Sequence, residues 1–413
     1  MSARDIVIAG GGMVGISLAL ALARKLPEQV RITLVEGFTL PPPAAAAPDY
    51  HPAFDARSTA LSYSSERIYR SLGLWPLLQR WLCPIDTIHV SSRGHFGSSI
   101  LRGADYGWGA LGHVVENAWL GQALLHALRS EQRVELLNPA RVTAARPTPE
   151  GVVLSLDGEA PPTLTTALLV VADGADSGLR EGLGVAACEK PYRQHALICN
   201  VATAEPHAGC AFERFTDEGP LALLPLLPAA GARHRSALVW TLPPERAAQL
   251  LECPQDVFLA ALQQRFGYRL GRLQQVGARH AYPLTLRHCD EQVRAGIAVM
   301  GNAAHALHPV AGQGFNLALR DIWALCDVLS AAVARGQSPG DLTVLQQYRA
   351  RQQADQRRTI EFSDRLPALF MHNDPMLALA RDLALSGLDW VAPLKRAFVA
   401  QAAGLQALEA AHD

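Results

Sequence analysis

Asp5-Ile6-Val7-Ile8-Ala9-Gly10-Gly11-Gly12-Met13-Val14-Gly15 decides how the rest of the chain is read. After Asp5 it begins as a compact apolar run, the pattern of a strand. Gly10, Gly12 and Gly15 then match G-x-G-x-x-G. Leu18, Ala19, Leu22 and Ala23 recur on one helical face. A second strand, Arg31-Ile32-Thr33-Leu34-Val35, ends in Glu36, which lies 21 residues after Gly15. Strand, glycines, helix, strand and acid in this order form a dinucleotide-binding fingerprint. Gly10 permits the tight turn, Gly12 lets a pyrophosphate approach, and Gly15 lets the helix pack on the sheet. Glu36 can accept hydrogen bonds from an adenosine ribose. The expected fold class is α/β with a Rossmann-like domain. The fingerprint does not choose between FAD and NAD.

A second glycine-rich stretch comes late. Ala295-Gly296-Ile297-Ala298-Val299-Met300 reads as a buried strand and runs into Gly301-Asn302. The chain continues through His305, His308, Pro309, Gly312, Gln313, Gly314 and Asn316. Ala318, Ile322, Leu325 and Leu329 then recur at i, i+4, i+7 and i+11, one face of a long helix that starts near Gly314. The first turn of a helix carries unpaired N–H groups and a partial positive charge. Glycines there let a ligand come close, so this turn can hold an electron-rich group. An ordinary strand-to-helix turn is the plainer alternative.

Between these stretches the texture varies. Residues 38–52 are rich in Pro and Ala and read as a loop. Arg57 sits among small hydroxyl residues and could meet a phosphate or a ribityl chain, or form a surface ion pair. Gln122 lies on a predicted helix, as a cofactor contact or simply exposed. Ala167-Leu168-Leu169-Val170-Val171-Ala172 reads as another buried strand and ends in Asp173-Gly174. An acid there points into a ligand crevice; Asp173 or Asp176 could instead cap the next helix. Residues 192–282 read as a separate, largely antiparallel sheet, with Pro225 and Pro243-Pro244 marking loops or sheet edges. After Gly340 the chain reads as helical: residues 345–349, 360–370 and 375–385, then an Ala- and Leu-rich tail over 391–411.

Composition excludes several classes. The chain has 413 residues, 49% hydrophobic and 18% charged, enough for a large core shared by two interleaved domains. A formal net charge of −1 argues against nucleic-acid binding. Seven cysteines without a C-x-x-C pair and no secretory signal read as reduced thiols of a cytoplasmic protein. No apolar run of 18 or more residues suggests a membrane span. No G-x-S-x-G sits at a strand-to-helix elbow, since Gly336-Gln337-Ser338-Pro339-Gly340 follows a helical run, and there is no H-E-x-x-H. His305 and His308 are three apart, but no acid or cysteine stands near them in sequence, so no metal is expected. No second G-x-G-x-x-G stands between a strand and a helix as the first does; Gly107, Gly109 and Gly112 repeat only the spacing. A nicotinamide cofactor would therefore bind only transiently.

The fingerprint, Asp173-Gly174 and the run from Gly301 to Asn316 together resemble the three-part pattern of the flavoprotein aromatic hydroxylases, the para-hydroxybenzoate hydroxylase fold group. Within it the chain most resembles the ubiquinone-biosynthesis hydroxylases of the 2-octaprenyl-6-methoxyphenol hydroxylase family. Asp55-Ala56-Arg57-Ser58-Thr59-Ala60-Leu61-Ser62, Ala211-Phe212-Glu213-Arg214-Phe215-Thr216, Gly219-Pro220-Leu221-Ala222, Ala281-Tyr282-Pro283-Leu284 and Ala311-Gly312-Gln313-Gly314-Phe315-Asn316 carry the likeness. One departure is Asn302, where the wider group has Asp gripping a ribityl hydroxyl; an Asn oxygen can accept the same bond.

The resemblance implies a Rossmann-like FAD-binding domain over 1–72, 101–185 and 283–335. An interleaved, mainly antiparallel substrate domain would take 73–100 and 186–282, and a helical region 336–413. It implies FAD as cofactor, NADPH or NADH as co-substrate, and hydroxylation of a polyprenyl methoxyphenol by O2 through a flavin C4a-hydroperoxide. Gly10, Gly12, Gly15, Glu36, Arg57, Gln122, Asp173, Gly301, Asn302, Gly312, Gln313, Gly314 and Asn316 would bind the cofactor. Pro309, Phe215 and Tyr282 would face the flavin or the substrate. No proton-transfer residue is assigned. Other ubiquinone-biosynthesis proteins and peripheral contact with the inner face of the plasma membrane are the expected partners. Another FAD-dependent hydroxylase, a prenyl reductase of the same fold and a non-catalytic FAD-bearing subunit are the alternatives.

Overall fold

The computed structural model describes residues 3–42, 48–94, 97–307, 312–371, 395, 399–400 and 403–404. The first strand, Ala3–Ala9, lies at the centre of a largely parallel sheet. It pairs in parallel with Ile32–Val35 on one side and Thr163–Val171 on the other. Val134–Leu137 and Ile297–Val299 extend the parallel order outward. Ile6 and Ile8 pack into one core cluster and Val7 and Ala9 into another, all at most 3% exposed. Burial of both faces is why this strand reads as a continuous apolar run rather than an alternation. Helices Met13–Lys25, Asn117–Ser130 and Gln313–Ala334 supply the first of those clusters. The predicted stripe Ala318, Ile322, Leu325 and Leu329 is at most 1% exposed.

The second large sheet is built from Thr87–Ser92, Ser98–Arg102, the strands between Cys188 and His288, and His305–Ala306. Its pairings are antiparallel except between Cys210–Phe215 and Thr87–Ser92. Alternation sorts its two faces. Leu197, Leu221, Leu223, Leu238, Trp240 and Leu242 pack under helices Pro244–Glu252 and Gln255–Phe266. The residues between them look the other way, into a cavity.

Two sequence expectations are corrected and one pair of alternatives is decided. The boundaries at 100/101 and 282/283 fall inside the strands Ser98–Arg102 and His280–His288. Pro225 falls at a sheet edge, one of its two expected places, within the strand Pro220–Leu226. The neighbouring Cys210–Phe215 pairs only as far as Leu223, so at Pro225 the strand is an edge on that side and lacks no ladder partner. Residues 345–349 and 360–370 belong to one helix, Leu342–Met371. The segment 375–385 and most of the tail lie outside the described residues.

A small third sheet of Ser58–Ser62, Leu82–Ile85 and Gly112–Glu116 joins the two large ones. Arg235, fully buried on the second sheet, pairs with Glu116 of the small sheet and donates to Ala53 O at 2.6 Å. The Tyr50 hydroxyl donates to the same carboxylate. A buried pair of this kind fixes geometry more than it adds stability. Among the described residues no helix is long and apolar enough to cross a membrane.

Candidate active site

Four parallel strands deliver their carboxyl ends to one crevice, at Gly10, Glu36, Asp173 and Gly301. Gly10 has φ +111°, and a Cβ there would stand 2.5 Å from Ala172 O. A Cβ on Gly15 would stand 1.8 Å from Gly10 O, so helix and turn touch through hydrogen alone. Around a Cβ on Gly12, by contrast, nothing lies within 4 Å. The helix that follows has no side-chain cap and no acid in its first turn. Its first N–H groups therefore face open space with the positive end of the dipole behind them.

Glu36, 8% exposed, accepts from Gly11 N at 2.6 Å and from Phe38 N at 2.6 Å, one oxygen each. A carboxylate has about four acceptor positions, so two remain for ribose hydroxyls. Asn138 holds the loop behind it, donating to Glu36 O at 2.9 Å and Phe38 O at 2.6 Å. Gly11 and Asn138 are contributors the sequence reading did not single out. Gly11 was hidden as a variable position of the motif, and Asn138 lies 102 residues from Glu36.

Across the crevice, Ser177 caps the helix Gly178–Gly182 through a 2.9 Å bond from Arg180 N. The cap role is thus filled without Asp173, whose side chain stays exposed at its strand end. Gly301 has φ +61° and packs on Val14 of the fingerprint helix; Asn302 beside it is exposed. Gly312, φ +59°, precedes the helix Gln313–Ala334, which also lacks a side-chain cap and an acid in its first turn.

Asn316 lines the cavity beside the Gly312 turn and spends its carboxamide on the protein itself. Its oxygen accepts from Ser62 N at 2.9 Å and Ser65 Oγ at 2.6 Å. Its nitrogen donates to Ala60 O at 2.9 Å and Gly312 O at 2.7 Å. All four positions of the carboxamide are used within the protein. It clamps the strand Ser58–Ser62 to the Gly312 turn. His305 is likewise a support: its Nε2 meets Asp321 Oδ2 at 2.7 Å, both buried. Asp321 Oδ1 accepts from Gln352 at 2.8 Å and Gln356 at 2.9 Å. The sequence places no acid near His305; the fold supplies one from the long helix. His308 and Pro309 lie outside the described residues.

Beyond the Gly312 turn opens a cavity of ≈ 420 Å³, within the range of small-molecule sites. Gly312, Gln313 and Gly314 form one end, the second sheet its floor, and Phe362, Val399 and Ala403 part of its wall. Phe215, 2% exposed, lines it as expected of a pocket wall. Tyr282 does not line this cavity. It is 39% exposed, and its hydroxyl accepts from Arg57 Nη1 at 3.2 Å. Arg57 itself is exposed, and so is Gln122 on its helix. Cys188, His288 and Asp290 come within metal-binding reach of one another at the surface. None of the three lines the cavity.

These residues fit FAD. Two uncapped helix starts, free of acids, serve one crevice and its adjoining cavity. The first suits a pyrophosphate, the second an electron-rich ring edge. Glu36 keeps acceptor capacity for the ribose.

The FAD binding domain family matches residues 3–363. Ubiquinone hydroxylase UbiL of Rhodospirillum rubrum is 37% identical over 406 residues, covering 97% of this chain and 89% of that protein. The 3-demethoxyubiquinol 3-hydroxylase of Escherichia coli is 33% identical over 410 residues, with 97% and 98% covered. The crystal structure of p-nitrophenol 4-monooxygenase from Pseudomonas putida superposes with a TM-score of 0.73 at 17% identity, covering 97% of each chain. At that identity the likeness shows the fold, that of the para-hydroxybenzoate hydroxylase group. Fingerprint, cavity and full-length similarity converge: the chain belongs to the FAD-dependent ubiquinone-biosynthesis hydroxylases, the UbiH/COQ6 family.

Proposed function

We propose that the protein hydroxylates the ring of a polyprenyl-substituted methoxyphenol on the way to ubiquinone, with NAD(P)H as reductant. The observation that carries this reading is the apolar cavity of ≈ 420 Å³ that begins at the Gly312–Gly314 turn. A ring bound there would lie against the place where the second helix start would hold a flavin. Bound FAD, once reduced, supplies the activation of O2 and the delivery of one oxygen atom.

The chain's own residues bind, orient and exclude water. Gly10, Gly12, Gly15 and Glu36 would take the adenosine and pyrophosphate half. Asp173 and Asn302, both exposed at strand ends, would accept from ribityl hydroxyls. The N–H groups at Gly312, Gln313 and Gly314 would stabilise negative charge on the ring system. Asn316 and His305 would keep that turn in place without touching the cofactor. The apolar lining, with Phe215, would hold the substrate ring and the first prenyl carbons away from water, which protects a reactive oxidant from side reactions. The remainder of a long tail would stay in a bilayer, making contact with membrane or with companion proteins part of this reading.

Quinone analysis of a strain lacking the protein tests it. The reading expects a prenylated phenol one hydroxyl short of the next intermediate to accumulate. Unchanged ubiquinone and no such phenol would contradict it. A saturated or unsaturated tail variant accumulating instead would point to a prenyl reductase.

A further inference from the structure

The cavity face of the second sheet forms a grid whose chemistry is uneven. Val90, Glu213, Ala222, Val239 and Ile198 stand side by side across five strands. Four are apolar, and along its own strand Glu213 is flanked on the same face by Ala211 and Phe215. Among the described lining residues Glu213 is the one titratable side chain. Its neighbour Arg214 turns to the other face, donating to Arg265 O at 2.9 Å and Ser91 Oγ at 3.3 Å. Nothing among the described residues pairs with the Glu213 carboxyl. The other polar residues of the described lining, Ser58, Thr59, Ser62, Thr241, Gln313 and Asn316, are all uncharged. Burial alone pushes its proton affinity up, to about 7.

A carboxyl in such surroundings costs stability. The neighbouring grid positions are filled by Val, Ala and Ile, so packing does not call for an acid. Its form suits a ligand that is mostly apolar but carries one acidic hydroxyl, the description of a prenylated phenol.

We propose that Glu213 receives the substrate's phenolic hydroxyl, orienting the ring and taking the hydroxyl's proton as the ring is oxidised. The assignment rests on the hydroxylase reading above. The Glu213 carboxylate accepts a hydrogen bond from the phenol. As the phenol O–H bond breaks, its proton passes to Glu213 and its electron pair moves into the ring. The enriched ring carbon bonds to one oxygen atom of O2. That carbon then loses its own hydrogen as a proton, and aromaticity returns. Glu213 gives its proton back to the original phenol oxygen. The O–O bond breaks as the first oxygen is transferred; that oxygen becomes the new hydroxyl and the second leaves as water, the two electrons coming from NAD(P)H. The three protons these products need are the one released by the ring carbon, the one carried with the NAD(P)H electrons and one from solvent. Anchoring the hydroxyl also selects which carbon faces the cofactor end of the cavity.

The test uses the FAD-loaded protein and its variants Glu213→Gln and Glu213→Asp. The probes are a 2-methoxyphenol with a short prenyl chain and the same compound with its phenol oxygen methylated. Binding is read from the flavin absorbance change, and turnover from kcat/KM between pH 5.5 and 8.5. Wild type is expected to prefer the free phenol over the ether by about 10-fold at pH 8, with kcat/KM rising through about pH 7. Glu213→Gln should lose the preference and the pH step, with kcat/KM down about 100-fold. Glu213→Asp should restore part of both. Glu213→Gln keeping the wild-type preference and pH step overturns the proposal and leaves the hydroxylase reading intact. Should wild type instead hydroxylate 4-hydroxybenzoate best, the ubiquinone reading falls. The same variants on that phenol then decide the role of Glu213.

Discussion

The Oε2 atom of Glu36 lies 2.6 Å from the backbone nitrogen of Gly11. The acid of the fingerprint is therefore seated by the motif itself before any ribose arrives. A Cβ at Gly11 would stand 2.8 Å from both Cβ and Oε2 of Glu36. Gly11→Ala should displace the carboxylate and weaken FAD by about 10-fold. Glu36→Arg should weaken it more, removing the ribose acceptor and filling its space. Fluorescence titration of the apoprotein with FAD measures both; wild-type affinity in either variant would remove Glu36 from the ribose site.

Two asparagines in one motif should respond oppositely to the same change. Asn302 is exposed and is proposed to accept from the ribityl chain, so Asn302→Asp should keep FAD and Asn302→Leu should lose affinity by about 1–3 kcal/mol. Asn316→Asp would turn a second oxygen toward Ala60 O and Gly312 O, destabilising the fold by about 2–4 kcal/mol. Urea unfolding and FAD titration of the two Asp variants separate the roles.

Glu213 sets a pH dependence of stability. Its folded pKa of about 7 stands above the ordinary carboxyl value of 4.5. The folded state therefore holds a proton that the unfolded state has lost between those values. Stability from this group is present at low pH and falls as pH rises through about 7. Glu213→Gln should match wild type near pH 4.5 and exceed it at pH 8, as read from unfolding midpoints. A constant offset across that range would show that the carboxyl is not strained by burial.

The Arg235–Glu116 pair joins two sheets while almost wholly out of water. Arg235→Leu would strand the Glu116 charge beside Tyr50 and should cost about 3–5 kcal/mol. Replacing Arg235 and Glu116 together with apolar residues should recover much of that loss. Denaturant unfolding of the three proteins measures the coupling.

What could be read from sequence is what depends on near neighbours. The buried strand Ala3–Ala9, the glycine turn and Glu36 lie within one supersecondary unit, and their chemistry is local. The helix Gln313–Ala334 declared itself by period. The clamps did not, because each joins distant positions. Asn316 holds Ser62, 254 residues away, and Asn138 holds Glu36. Asp321 supports His305 only because the long helix turns it back over the loop. Glu213 could have been found: in Ala211-Phe212-Glu213-Arg214-Phe215 it occupies the inward position between two cavity residues. Strand alternation makes an acid at that position conspicuous.

Oxygen transfer to a prenylated phenol is proposed to take place in the cavity beneath the Gly312 turn. Each buried CH2 contributes about 0.8 kcal/mol, so one or two prenyl units should dominate affinity. The most direct measurement supplies oxygen-18 gas to the FAD-loaded protein with NADPH and, side by side, a short-chain prenyl 2-methoxyphenol, the same headgroup without a tail, and 4-hydroxybenzoate. Product mass and hydrogen peroxide are both recorded. One oxygen-18 atom is expected in the prenylated product with little peroxide, and the bare headgroup should react only at far higher concentration. Efficient labelling of 4-hydroxybenzoate, with the prenylated phenol yielding only peroxide, would contradict the proposal.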